Sequence, residues 1–306
     1  MSYFVEVASN ERFEQIKREL LPYKIERNAP GVVFAAKKDG VSITMYRSKK
    51  VLFQGKNAKT LGEHYFKGES RTTPQKKQRD NGALPPHFSS LPVLGSDETG
   101  TGDYFGPITV AACYVTPEQM EILVIIGVRD SKALTDDKMR EMAPQIRSLC
   151  THAITVLPID HYNMWVDEGY SQAKIKAILH HDVLHQVRQQ LNAHPITLID
   201  QFIQPSTYFR YVAEQEDVVK ENVYFATKAE SIHLSVAAAS ILARVAFLEA
   251  MDELSKKVGY TLPKGASRKV DEVAAMILRS QGKEALQSVS KWHFKNTEKA
   301  YLLIKQ

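Results

Sequence analysis

Four carboxylates stand where strands and helices would bring them together. Asp97 and Glu98 close the apolar run PVLGS, Asp200 follows ITLI, and Glu230 falls between the strand-like VYFAT and a helix of small residues. Strand ends that face a crevice are where α/β sheets place their chemistry. Carboxylates gathered at one point repel one another unless a cation lies among them. Oxygen donors without His or Cys select Mg²⁺ or Mn²⁺. Two such ions can clamp a phosphodiester, one activating water and the other stabilising the leaving oxygen, so no nucleophilic side chain is needed. Adjacent residues of a regular strand point to opposite faces. Asp97 and Glu98 are therefore expected to serve one site through a strand that ends or twists sharply there.

The loop Gly100-Thr101-Gly102-Asp103-Tyr104-Phe105-Gly106 follows these two acids. Its glycines let backbone approach a ligand closely. It leads into a strand rather than a helix, so it is not the dinucleotide fingerprint. His181 and His185 are four apart on a predicted helix, but Asp182 stands where a zinc-protease motif needs Glu, and no third ligand is apparent.

The elements that must position these groups are legible as patterns. LPVLGSDE and GPITVAACYVT read as strands joined by the glycine-dense loop. Thr116-Pro117-Glu118 and Thr135-Asp136-Asp137 open helices. HAITVLPID, PITLID and NVYFATKAE read as strands. AKIKAILHHDVLHQVRQQL is a helix with Ile175, Ile178, Leu179, Val183 and Val187 on one side, and SVAAASILARVAFLEAMDEL is a long helix with a small-residue face. Hairpin-ordered strands followed by alternating strands and helices indicate an α/β fold, a mixed sheet flanked by helices. Ahead of this, residues 1–67 read as a small α+β domain. Phe13, Ile16 and Leu20 keep helical spacing, and Asp39-Gly40 joins two alternating runs as a hairpin. Residues 68–90 are polar and proline-containing, a linker, and residues 91–306 form the second domain.

The charge is uneven. Residues 1–90 carry 17 Lys and Arg against 9 Asp and Glu, a balance of +8, and the remainder carries −3, within a total of +5. A basic first domain suits a polyanion. Hydrophobic residues are 43% and charged residues 25%, which excludes disordered and collagen-like classes. Two cysteines are too few for a disulfide framework or a thiolate metal site. The start of the chain is polar, and the longest apolar run is broken short of the ~20 residues that a membrane helix needs. A cytoplasmic protein is expected.

GSDETGTGDYFGPITVAA, VRDSKALTD, LID and TKAESIHLSVAAASILARV, in that order, closely resemble the type 2 ribonuclease H superfamily. Gly100-Thr101-Gly102, in place of Gly-Arg-Gly or Gly-Lys-Gly, resembles the bacterial ribonuclease HIII group, as do the additional first domain and KWHFKNT. The resemblance implies a ribonuclease H-like catalytic domain preceded by a TATA-box-binding-protein-like domain. It implies an endonuclease that hydrolyses the RNA strand of RNA/DNA hybrids to 5′-phosphate and 3′-hydroxyl ends. Asp97, Glu98, Asp200 and Glu230 would then be the catalytic, metal-holding acids, with Glu230 departing from the more usual Asp. Gly100, Thr101 and Gly102 would meet the minor groove and sense the 2′-hydroxyl, with Lys132 and Lys174 as further substrate contacts. A monomer without an obligate protein partner is expected. The alternatives are excision of single ribonucleotides from DNA and non-catalytic hybrid binding, and four intact acids weigh against the latter.

Overall fold

The computed structural model describes residues 3–27, 31–66, 84–128 and 134–305. The chain divides into two compact units, residues 1–80 and 81–306.

In the first unit, β1 (Tyr3–Val7), α1 (Asn10–Glu19), β2 (Val32–Lys38), β3 (Val41–Tyr46), β4 (Lys50–Gln54) and α2 (Ala58–Tyr65) follow in order. The strands form one antiparallel sheet in the order β1-β4-β3-β2. Ser9 caps α1 by accepting from the Arg12 N–H, and Phe13, Ile16 and Leu20 turn inward as their spacing predicts. Asp39 and Gly40 both take positive φ, 49° and 73°, and make the two-residue connection between β2 and β3. β1 and α2 carry no comparable signal. α2 spans eight residues and buries only Ala58, Gly62 and Tyr65, too short a stripe to read as a period.

The second unit contains β5 (Val93–Thr99), β6 (Ile108–Val115), α3 (Pro117–Ile126), α4 (Asp136–Leu149), β7 (His152–Leu157), α5 (Ile159–Asp167) and α6 (Gln172–Leu191). It continues with β8 (Thr197–Asp200), α7 (Pro205–Tyr211), β9 (Val223–Ala226), α8 (Leu234–Val258), α9 (Arg268–Gln287) and α10 (Lys295–Ile304). The sheet order is β7-β6-β5-β8-β9. β5, β6 and β7 pair antiparallel, whereas β8 is parallel to β5 and to β9. Strand alternation gives the sheet two covered faces. Leu94, Val110 and Ala112 meet Ile175, Leu179 and Val183 of α6. Ala111 and Cys113 meet Ala237, Ala238 and Ile241 of α8, with Met142 and Ile146 of α4.

Two features differ from the sequence reading. The apolar run expected to stop short belongs to α8, whose 25 residues have mean hydropathy 1.7 in their most apolar window, enough by length and composition to cross a membrane. That window is 78% buried within the protein, so α8 is its core helix. Phe88, read as linker, is buried edge-on against Tyr224 and His233, with Leu84 beside it. The body of that linker, residues 68–83, lies outside the described residues.

Packing of α8 on β5 is close enough to exclude a side chain at Gly95. A Cβ there would lie 2.5 Å from both the Val236 nitrogen and Ser235 Oγ. This close approach brings α8 alongside the strand that carries Asp97.

Candidate active site

Asp97, Glu98, Asp200 and Glu230 line one cleft of about 480 Å³, together with residues 100–103, Asp136, Ser240 and Arg244. β5 does not end or break at the two acids. It runs regularly to Thr99, with Asp97 opposite Ala111 and Glu98 opposite Val110. There is no break within the strand, which ends one residue past Glu98, and the side chains diverge as alternation requires. Asp97 turns to the α8 face, where Ser240 hydrogen-bonds it. Glu98 turns to the α6 face. Both still border the cleft because it opens at the end of the strand.

Glu98 is tightly held. Lys176 Nζ lies 2.7 Å from its Oε1 and His180 Nε2 lies 2.9 Å from its Oε2. Ser96, on the same strand face, lies 2.8 Å from the other ring nitrogen of His180. Lys176 and His180 are four residues apart and share one face of α6. Phe202 stacks on His180 with ring centroids 5.1 Å apart, and Lys176 Nζ lies 4.1 Å from the same ring. Burial alone would raise the Glu98 carboxyl, but the hydrogen bond and charge of His180 and the Lys176 ammonium bring it down to about 2. Asp97 goes the other way. Burial, then the charges of Glu98 and Asp200, push it up to about 8. Asp200 is also raised by burial and by Glu230 and Glu98, although its Oδ1 accepts from the Ala229 N–H at 2.9 Å. Glu230 sits in the short turn Ala229–Ser231 and is buried.

Among the described residues, no three His, Cys, Asp or Glu side chains already close around a single point. The donor set still fits a hard divalent cation. Among the described residues that line it, the cleft offers carboxylate oxygens with no imidazole or thiolate. Asp97, at about 8, is a carboxyl that lacks a compensating positive charge at neutral pH.

The glycine loop forms one rim. Gly100 has φ +95°, and a Cβ there would lie 2.2 Å from the Pro107 carbonyl oxygen, so the fold itself requires glycine. Gly102 differs: its φ is not in the left-handed range, and a Cβ would meet nothing within 4 Å. The Thr101 carbonyl accepts from Gln172 Nε2 at 2.9 Å, and the Asp103 carboxylate accepts from the Gly265 N–H at 2.5 Å. On another wall, Arg244 donates to Asp136 at 2.9 Å, and Lys264 also binds Asp136.

Of the two lysines singled out from sequence, Lys132 lies outside the described residues. Lys174, on the first turn of α6, stands 3.8 Å from the Tyr170 ring centroid and is not among the residues lining the cleft. Lys176, two positions on, is the one that reaches an acid. Sequence reasoning missed Lys176, His180, Ser240 and Arg244. The available signal was His180, a polar residue inside the apolar stripe Ile175, Leu179 and Val183. Ser240 looked like small-residue packing.

Comparison with known proteins places these features in context. The Ribonuclease HII family matches residues 94–297, and a domain of unknown function (DUF3378) matches residues 3–79. Ribonuclease HIII of Lysinibacillus sphaericus is 48% identical, covering 94% of this chain and 96% of that protein. Ribonuclease HIII of Listeria monocytogenes is 46% identical, covering 96% of each. Among solved structures, Bst-RNase HIII in complex with Mn²⁺ superposes with a TM-score of 0.71 at 41% identity, covering 99% of both chains. Ribonuclease H2 of Pyrococcus horikoshii, at 19% identity and a TM-score of 0.60, shares the fold over 71% of this chain.

Proposed function

The chain belongs to the ribonuclease HII family and, within it, to the ribonuclease HIII group, and from that premise we propose that Asp97, Glu98, Asp200 and Glu230 carry its hydrolysis of the RNA strand in RNA/DNA hybrids. The observation that supports this most is that all four carboxylates border one cleft beside a glycine the backbone does not need, Gly102. The four acids would hold Mg²⁺ or Mn²⁺, the latter being the ion present in the Bst-RNase HIII structure. When bound, such ions supply an activated water and stabilise the leaving oxygen, giving 5′-phosphate and 3′-hydroxyl ends.

The chain's own groups do the rest. Lys176 and His180 fix the Glu98 carboxylate and keep it ionised. Ser240 orients Asp97, and the Ala229 N–H orients Asp200. The bare edge at Gly102 admits the backbone of a minor groove, where main-chain groups can read a 2′-hydroxyl. The basic first domain supplies the long-range attraction that the −3 catalytic portion lacks. In this reading the enzyme acts as a cytoplasmic monomer.

One assay tests the reading. Cleavage is followed on a continuous RNA/DNA hybrid, on a DNA duplex holding a single ribonucleotide, and on plain DNA, each with Mg²⁺ and with Mn²⁺. The hybrid should be cut fastest and plain DNA not at all. Equal rates on the first two would favour ribonuclease HII-like excision. No metal-dependent cleavage of any would leave only hybrid binding.

A further inference from the structure

The segment KWHFKNT is not absorbed by the cleft, yet its first residue reaches the glycine loop from beneath. Lys291 is 0% exposed. Its amino group donates to the Asp103 carbonyl at 2.9 Å, to the Gly106 carbonyl, and to the Pro107 carbonyl at 3.3 Å. The Asp103 carboxylate is turned away, to the Gly265 N–H. The amine therefore meets main-chain oxygens rather than a carboxylate partner. The backbone repeats the attachment. Lys291 N–H donates to the Tyr104 carbonyl at 2.8 Å, Gly106 N–H donates to the Val289 carbonyl at 3.1 Å, and Phe105 bridges Ser290. Asn163 holds the segment in turn, donating to the Ser290 carbonyl and accepting from the Trp292 N–H, both at 3.0 Å.

A buried amine is a costly way to fill space. Burial holds Lys291 down to about 7, against an ordinary lysine value of 10.5. An apolar side chain of similar volume commonly serves a core at no loss of stability. What methionine cannot do is turn three carbonyls of one loop toward a single point. With residues 103, 106 and 107 tied from below and Thr101 tied by Gln172, the loop has little freedom left at Gly102.

We propose that Lys291 is a positioning residue that sets the shape of the Gly100–Gly102 rim and thereby the preference for RNA/DNA hybrid over DNA duplex. The proposal rests on the reading that this rim meets the substrate. Lys291 touches none of the four acids and does not line the cleft, so its effect falls on recognition rather than on the chemical step.

The test compares the full-length enzyme with Lys291→Met, Lys291→Gln and Gly102→Ala. Affinities for a labelled hybrid and for a DNA duplex of the same sequence are measured in EDTA, so that no strand is cut. KM and kcat are measured with Mn²⁺, and unfolding is followed thermally. Lys291→Met should weaken hybrid binding about tenfold, the scale of a lost buried hydrogen bond. Duplex binding should stay nearly unchanged, because it rests on phosphate contacts. KM should rise more than kcat falls. Lys291→Gln, which keeps N–H donors on a shorter arm, should fall between. A folded Lys291→Met with the wild-type hybrid-to-duplex ratio would overturn the proposal, and so would failure of both Lys291 variants to fold. If Gly102→Ala also leaves the ratio unchanged, the reading of the rim as a substrate contact fails with it. If Gly102→Ala alone changes the ratio, that reading stands and only the role of Lys291 is lost.

Discussion

Asp97 and Glu98 are covalent neighbours in opposite electrostatic settings. Glu98, held by the Lys176 ammonium and the His180 ring, sits at about 2, whereas Asp97, with Ser240 and like charges around it, sits at about 8. Environments that push paired carboxyls apart are typical of sites that use both. Asp200 lies between these acids and Glu230 electrostatically. Asp200→Asn keeps the size and the hydrogen bond from Ala229 but removes the charge. Turnover on hybrids should fall by more than a hundredfold, roughly the scale of lost metal-centred stabilisation. Hybrid affinity in EDTA, measured by anisotropy, should change less than about threefold, because affinity comes mainly from phosphate contacts. Wild-type turnover in the Asp200→Asn enzyme would remove Asp200 from the site. Asp97, Glu98 and Asp200 stood out in the sequence because they close apolar runs, and Glu230 because it falls between a strand and a helix. Their partners were not. Lys176 and His180 are four apart on a helix, and a lysine at such spacing usually marks a solvated face. Only the fold shows that the strand beside them carries Glu98.

At the level of elements, the alternation of β5 and the proximity of α8 decide where the side chains go. The 2.5 Å approach at Gly95 leaves no room for a methyl group against helix backbone. Gly95→Ala must push α8 away, at a cost of about 1–3 kcal/mol for overpacking. In a unit of this size the melting temperature should drop by roughly 5 °C. Activity should fall as well, since Ser240 of the displaced helix holds Asp97. Calorimetry and a hybrid assay check both parts, and an unchanged melting temperature would show that α8 can shift freely. Long elements were legible where their period was clean. α1, α6 and α8 show apolar spacing or capping residues such as Ser9 and Ser171. α2 and α7, of eight and seven residues, are too short to display a period. β5 misled in a useful way. The glycines after Glu98 suggested a broken strand, whereas pairing with β6 through Thr99 keeps it regular.

The whole molecule joins a unit with excess positive charge to one that must approach a polyanion while carrying −3. Screening confines the second unit's own cationic groups to about 8 Å at physiological salt. A chain of residues 81–306 retains Leu84 and Phe88, which pack with Val93 and Leu198, and should fold. A start at 91, the domain boundary read from the sequence, would discard both Leu84 and Phe88. The shortened chain should bind hybrids more weakly, and each lost phosphate contact should flatten log K against log[salt] by about 0.7–0.9. Its kcat at saturating hybrid should fall less than its affinity. Titrations of both lengths at several salt concentrations measure this, and matching affinities and slopes would leave the basic unit without a substrate role.

Lys291 is separated from Asp103 by 188 positions, and that gap has a consequence in time. Proteins are made from the N-terminal end, so a ribosome adds all four acids of the cleft, the last at 230, well before it adds Lys291. The growing polypeptide thus carries the four acids of the cleft before it carries the tie from Lys291 to the glycine loop. Closing so long a loop is also entropically slower than forming any local turn. The order of synthesis and folding therefore delays the final tethering of the glycine loop until late, and a chain halted between 230 and 291 would hold the four acids without the Lys291 tie.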